Sequence, residues 1–441
     1  MPKNRFFLLL IASVLAAACA VRSKSPGIAD ISQSIDDRMG HNLREAEGTT
    51  TGLPPDVVLS DGVTENEAVS LSLWNHAAFQ ADLTTLGFTR ADVVEAGLLR
   101  NPIFSLLFPL GPKQLEATFN WPIEAFWQRP RRVAAARLDA ERVAQNLVQN
   151  GLNLIRDVRL AHADAILATD RLSLTQERLT LRRQILEITE ARLRAGDIAE
   201  LEVLPARNDV RLVEGDILRY QHDASVTSAR LALVLGSILE SQQVAAAPSA
   251  LPSKPAPIAS ALIEEAFGSR PDMRGSELAI QAAGERARWQ KSRIFALTSI
   301  LDVNGQGREG FEIGPGVQAE IFAGDRNTGN RLRAEAELKQ TSRRYVAVRQ
   351  QIAAEVTEAR IRYEEARAAL TQWNDGILPP LEEAARRTER AFAAGDVSRL
   401  FLLENTTKLV EARNRYIEIQ WSLRRARAEL ERAVGRRIEL S

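Results

Sequence analysis

The chain has 441 residues, 45% of them hydrophobic, and its 57 basic and 57 acidic side chains cancel. That balance gives no reason to expect a nucleic-acid partner, and the length allows two or three ordinary domains. A single cysteine, Cys19, excludes a disulfide framework.

The N-terminus has the layout of an export signal: Lys3 and Arg5, an uncharged run over 6–18, then Ala16-Ala17-Ala18 before Cys19. The run is too short to cross a bilayer as a helix. Cys19 stands where a bacterial lipoprotein signal puts its lipidated residue, so 1–18 reads as signal peptide and Cys19 as the lipid-bearing mature end. Ala16 departs from the Leu or Val usual three residues before such a cysteine. Ala20, which is not acidic, follows Cys19, as in lipoproteins sent on to the outer membrane. Residues 19–60 then read as a polar, weakly periodic arm that links or hugs the surface.

Thr64-Glu65-Asn66-Glu67 opens the first ordered stretch, with Thr64 and Glu67 as a capping box. Apolar spacing predicts helix to about Leu99, interrupted at Gly87 and ended by Asn101-Pro102. The period then changes. Leu115, Ala117, Phe119, Trp121, Ile123 and Ala125 alternate with Glu116, Thr118, Asn120 and Glu124, as in a strand between two different solvents. A partner strand near 103–110 completes a hairpin over 103–125.

Between 133 and 194 no proline occurs and only Gly151 interrupts a run rich in Ala, Leu and Arg, so one helix of roughly 90 Å is predicted. A helix that long does not belong to a compact globule. Gly196-Asp197 ends it in a tip at 195–198, and 199–235 returns as a second helix, an αα-hairpin whose apolar face must find other helices. Gly236 closes the unit. Residues 241–258, with Pro248, Pro252, Pro255 and Pro257, read as an extended linker.

The chain then repeats itself. Gly196-Asp197-Ile198 returns as Gly395-Asp396-Val397, and the same offset carries Leu201 to Leu400, Leu204 to Leu403, Leu231 to Leu430 and Gly236 to Gly435. Residues 61–240 and 259–441 are therefore two copies of one structural unit. The second has its strand hairpin at 297–321, where Phe311, Ile313, Val317, Ala319 and Ile321 alternate with Glu312, Gln318 and Glu320, and its tip at 394–397. It departs from the first at Asn374-Asp375-Gly376 and Pro379-Pro380, which predict a kink or break in the long helix.

Four strands per chain, each about long enough to cross a bilayer, cannot close a barrel, since the smallest bacterial barrels have about eight. Several chains must share one, and a trimer would supply twelve strands. The same oligomer lets the helical hairpins close into a tube. The competing architecture is a secreted helical scaffold or adaptor lipoprotein with a small soluble sheet and no channel.

The signal and Cys19, Arg270-Pro271-Asp272-Met273 at the head of the second repeat, the Leu378-Pro379 step, and the Gly-Asp tips followed by Leu-x-x-Leu together resemble the TolC-type outer-membrane efflux channels. The resemblance covers nearly the whole mature chain. It implies a mainly α protein with membrane β: a homotrimer with a twelve-stranded β-barrel continued by a long periplasmic α-barrel. It also implies a passive conduit in the outer membrane, docked to a periplasmic adaptor and an inner-membrane pump. Asn75-His76-Ala77 stands where the family usually has Asn-Asn-Pro.

Gly305-Gln306-Gly307-Arg308-Glu309-Gly310 fits a dinucleotide fingerprint, but strand-like alternation follows it where that fingerprint needs a helix. His41, His76, His162 and His222 show no metal-ligand spacing and no nucleophile and base pair stands out, so neither enzyme activity nor a cofactor or metal site is expected. Arg129, Arg131 and Arg132, beside Trp121, Phe126 and Trp127, suit a membrane boundary. Gly196, Asp197, Gly395 and Asp396 offer tight turns and polar groups for adaptor docking. The resemblance further implies that Glu202 and Glu404, near the tips, belong to a pore constriction, where carboxylate rings favour cations.

Overall fold

The computed structural model describes residues 25–44, 53–54, 57, 62–110, 115–236, 245–293, 296–305, 310–320 and 326–440. The export signal, Cys19 and the interior of the Gly305 to Gly310 turn lie outside them. Within the described residues the elements are α1 (Ile28–Met39), α2 (Glu65–Asn75), α3 (Ala77–Leu83), α4 (Thr85–Gly97), β1 (Ile103–Leu107), β2 (Leu115–Pro122), α5 (Ala125–Arg194) and α6 (Glu200–Val234). They continue with α7 (Ala259–Ser269), α8 (Pro271–Ser292), β3 (Leu297–Gly305), β4 (Phe311–Ala319), α9 (Thr328–Gln372), a π-turn (Trp373–Ile377), α10 (Leu378–Ala394) and α11 (Arg399–Val434). The series from α2 to α6 thus recurs from α7 to α11.

The chain divides into two compact units, one of which holds 83–147 and 271–350. Its four strands form one antiparallel meander in chain order, β1-β2-β3-β4. Local hairpins give the β1–β2 and β3–β4 pairs, whereas β2 against β3, with Phe119 opposite Leu301, joins hairpins from the two repeats. Small residues let the helices beneath come close: Ala282 and Ala283 of α8 are fully buried, and a Cβ on Gly275 would lie 3.3 Å from Asn146 Oδ1. Arg286 of α8 ties α5 to α9 by pairing with Asp139 and, at 2.8 Å, with Glu337.

The other unit holds 32–82, 148–270 and 351–441 and carries both helical hairpins. Leu152, Ile155 and Val158 of α5, Leu73 of α2 and Leu430 and Val434 of α11 are buried to 1% or less. Each contributes about 1.5–3 kcal/mol of burial free energy. Arg159 lies among them, pairing with Glu65 at 3.0 Å and with the fully buried Glu431, which Arg427 also approaches at 3.3 Å. Two carboxylates and two guanidiniums thus neutralise one another where single charges would be prohibitive. Both repeats close alike: Ser72 Oγ donates to Val234 O at 2.7 Å and Ser269 Oγ to Val434 O at 2.6 Å, capping the ends of α6 and α11. Gly236 and Gly435 follow with φ of 67° and 86°, and a Cβ on either would strike the backbone at Asn75 or the side chain of Arg270. The proline-rich bridge is pinned: Ser253 and Lys254 N–H groups reach Leu440 O at 3.0 Å, and Tyr363 Oη donates to Lys254 O at 2.7 Å.

Four expectations are corrected. The arm is not without structure: α1 buries Ile31, Ile35 and Met39, a stripe of helical spacing, and Gly151 is needed because a Cβ there would lie 2.5 Å from Ile35 Cδ1. The first helical stretch breaks at His76 and Thr84, not at Gly87, which sits inside α4. β1 stops at Leu107, short of 110. The long helix begins at Ala125, because Ile123 N–H still pairs with Leu297 O while Phe126 N–H already donates to Ile123 O; the apolar alternation ran on through that turn. At Asn374 the second long helix does break, through the π-turn, where Tyr416 Oη donates to Asn374 Oδ1 at 2.7 Å.

Glu431→Ala leaves Arg159 buried without its closest partner and is expected to cost about 3–5 kcal/mol. The loss is measured as a lowered midpoint of thermal unfolding by helical circular dichroism.

Candidate functional site

Antiparallel partners project to the same side of a sheet, so the strand register sorts the side chains by face. On one face lie the rows Phe104, Phe119, Leu301, Pro315 and Leu106, Ala117, Val303, Ile313, then Trp121, Ser299, Val317. On the other lie Ser105, Thr118, Asp302, Gly314 and Leu107, Glu116, Asn304, Glu312, then Thr298 and Gln318. Only Ser299 breaks the apolar rows, whereas Ile103 and Leu107 of β1, Pro122 of β2 and Ile300 of β3 add apolar groups to the polar face. The apolar face is uncovered: Phe104, Ile313 and Val317 are 65%, 63% and 66% exposed. A contiguous apolar sheet face of this kind marks contact with lipid or with protein.

Where the sheet meets the helices, Trp121 Nε1 donates to Arg100 O at 3.2 Å and its ring meets Phe126 edge-on at 5.5 Å. Arg131 pairs with Glu285 at 3.0 Å, Arg132 donates to Leu98 O at 2.9 Å, and Trp127 is exposed. The aromatic and basic residues singled out from the sequence therefore collect at one level, just below the strands.

The two tips share one backbone design. Gly196 N–H donates to Leu193 O and Asp197 N–H to Arg192 O, both at 3.0 Å; Gly395 N–H donates to Phe392 O and Asp396 N–H to Ala391 O at 3.0 and 2.9 Å. These paired bonds close a helix only if the glycine is left-handed, and φ is 81° at Gly196 and 84° at Gly395. Glu202 accepts from the Ala199 N–H at 3.3 Å and so caps α6. Beside it burial lowers the affinity of the Arg399 guanidinium for its proton, while Asp209 and Glu202 act against that and Arg192 and Arg182 with it. Glu404 is exposed on α11. Sequence reasoning used the Leu-x-x-Leu after each tip as a family mark and missed that it forms an exposed apolar ridge: Leu201, Leu204, Leu400 and Phe401 stand in solvent. The signal was present as the leucines that start four residues after each Gly-Asp pair.

The histidines have structural places. His76 Nδ1 accepts from Phe79 N–H at 3.3 Å, an N-cap for α3 that replaces the asparagine expected there. His162 Nε2 lies 2.8 Å from Val63 O, and burial pulls its pKa down. Burial first, then Arg159 and Arg437, lower His41 to about 4 against the pull of Glu65. His222 is exposed.

The outer membrane efflux protein family model matches residues 112–237 and 262–436, one segment in each repeat. The cobalt-zinc-cadmium resistance protein CzcC of Cupriavidus metallidurans is 25% identical over 385 residues, covering 85% of this chain and 90% of that protein. The pyoverdine export outer membrane protein OpmQ of Pseudomonas putida is 24% identical, over 70% of this chain and 68% of its own length. Among solved structures, the outer-membrane channel OprN superposes with a TM-score of 0.71 at 18% identity, covering 90% of this chain and 98% of OprN.

Proposed function

The chain belongs to the outer membrane efflux protein family, and we propose that three copies of it close one passive exit duct for a pump in the inner membrane. The observation that carries this reading is the sheet: four strands with one apolar and one polar face and two unpaired edges, β1 and β4. In lipid those edges must be bonded, and pairing β4 of one copy with β1 of the next does so for all copies at once. The apolar rows then meet acyl chains and the Thr118 and Gln318 rows line the lumen. Cys19, as the lipidated mature end, adds an anchor to a protein whose barrel already spans the membrane.

Below the membrane the helical hairpins continue the duct through the periplasm, and their tips receive the periplasmic adaptor. Gly196-Asp197 and Gly395-Asp396 form the turns, and the Leu201, Leu204, Leu400 and Phe401 ridge supplies apolar surface for the partner. Glu202 and Glu404 narrow and charge the passage near that end. The duct does no chemistry. The relatives' names carry different cargoes, cobalt, zinc and cadmium in one and pyoverdine in the other, as expected of a duct that leaves selection to the pump.

In planar bilayers the purified protein is expected to conduct with a preference for cations, and Glu202→Gln with Glu404→Gln to reduce that preference; a protein that never conducts would be a scaffold instead. Phe119→Arg or Val317→Arg should cost about 2–4 kcal/mol of membrane stability, whereas Thr118→Arg should be tolerated. Urea unfolding from lipid vesicles measures both, and equal damage on the two faces refutes the face assignment. Gly395→Leu forces a left-handed backbone on a branched side chain. Export and adaptor cross-linking at the tip are expected to fail while membrane insertion persists, and normal cross-linking would place the adaptor elsewhere.

A further inference from the structure

The bonds at the lower end of the sheet fix which backbone groups face its open edges. Glu320 N–H donates to Ala296 O at 3.1 Å, one step beyond the Leu297–Ala319 pair, so the even-numbered residues of β4 exchange bonds with β3. Phe311, Ile313, Pro315, Val317 and Ala319 therefore turn their backbone groups to the outer edge. Ile123 N–H donates to Leu297 O at 2.9 Å, which gives the odd residues of β2 to β3 and the even ones to β1. On β1 the residues that bond β2 are then Ile103, Ser105 and Leu107, opposite Asn120, Thr118 and Glu116. Phe104 and Leu106 face the other open edge. So does Phe108, which the same register sets opposite Leu115, the first residue of β2.

The edge of β4 has a gap, because Pro315 carries no N–H. Pro315 ends the row that begins at Phe104, so a next copy paired without any slip would set its own Phe104 against Pro315. Continuity of the apolar face allows only even slips. A slip of two residues sets Leu106 against Pro315, four sets Phe108 there, and six sets Leu110 there, beyond Pro109. In the first three registers a carbonyl within the membrane loses its donor. Slips in the opposite sense run Phe108 off the end of β4 at Phe311. Closure narrows the choice further: twelve strands about 4.8 Å apart, rising about 3.3 Å per residue, tilt by about 20°, 35°, 45° and 55° for slips of two, four, six and eight per copy, against the roughly 35–45° of membrane strands. Tilt leaves four or six, and Pro315 removes four.

We propose that β4 of one copy meets β1 of the next with a slip of six residues, Leu106 against Ala319, Leu107 against Gln318 and Phe108 against Val317, and that Pro315 excludes the shorter slips. This inference rests on the shared barrel argued above.

Disulfide trapping in membranes, oxidised with copper phenanthroline, tests it. Gln318→Cys is combined in turn with Ile103→Cys, Ser105→Cys and Leu107→Cys, which report slips of two, four and six; Gln318→Cys alone shows what Cys19 contributes. Directly opposed residues that exchange no bonds lie about 4.5 Å apart at Cα, within disulfide reach, whereas a register two residues off puts them about 7–8 Å apart. The Leu107 pair is expected to link copies about tenfold faster than the Ser105 pair. Pro315→Val restores the N–H, and the Ser105 link should then rise by about tenfold; no rise overturns the role given to the proline. Fastest linking through Ile103 or Ser105 in the otherwise unsubstituted chain overturns the register and leaves the shared barrel standing. No interchain link from any pair also overturns it, and the native mass of the same samples then separates the two failures: three chains place the closure at other edges, and one chain removes the barrel as well.

Discussion

A β-strand in hydrocarbon must have every backbone donor and acceptor bonded, and a four-stranded meander leaves two edges that violate this rule. The sheet described here adds a second demand, because its register puts most of its large apolar side chains on one face and its carboxylates and amides on the other. In the proposed assembly, a closed surface with lipid outside and water inside meets both demands. The duplication suits the same need: two hairpins from two repeats pair through β2 and β3, so in the proposed assembly each copy would contribute four strands instead of a single hairpin.

The helical part meets a different constraint. Two long αα-hairpins need tight, reproducible turns, and the left-handed glycines at Gly196 and Gly395 supply them with the same pair of backbone bonds. At their other ends Gly236 and Gly435 let the chain pass close to Asn75 and Arg270, and the Ser72 and Ser269 hydroxyls cap the last carbonyls. The repeats differ where the second long helix passes through the π-turn at Trp373–Ile377. The freed backbone there is what a helix needs in order to bend, and Asn374, held by Tyr416, fixes the place.

Much of this was legible in the sequence because it rests on local chemistry. The capping box at Thr64 and Glu67, the alternation through Phe119, the Gly-Asp tips and the Asn374 break are all short-range signals, and each has its counterpart in the structure. What escaped depends on distant partners. Ile31, Ile35 and Met39 looked like part of a polar arm because their stripe matters only once α1 lies on Gly151. His76 looked like a lapse from a family pattern, yet its ring nitrogen performs the capping that an asparagine would. Arg159 lies within the Ala-, Leu- and Arg-rich run of the long helix, and nothing nearby in the chain announces Glu65 and Glu431 as its partners.

The claim on which the rest depends is that the open edges of this sheet are closed by further copies of the same chain. The mass of the detergent-solubilised particle, measured by native mass spectrometry without cross-linking, tests it most directly. Three chains per particle are predicted. A particle that remains a single chain under conditions that preserve its strand content would contradict the shared barrel.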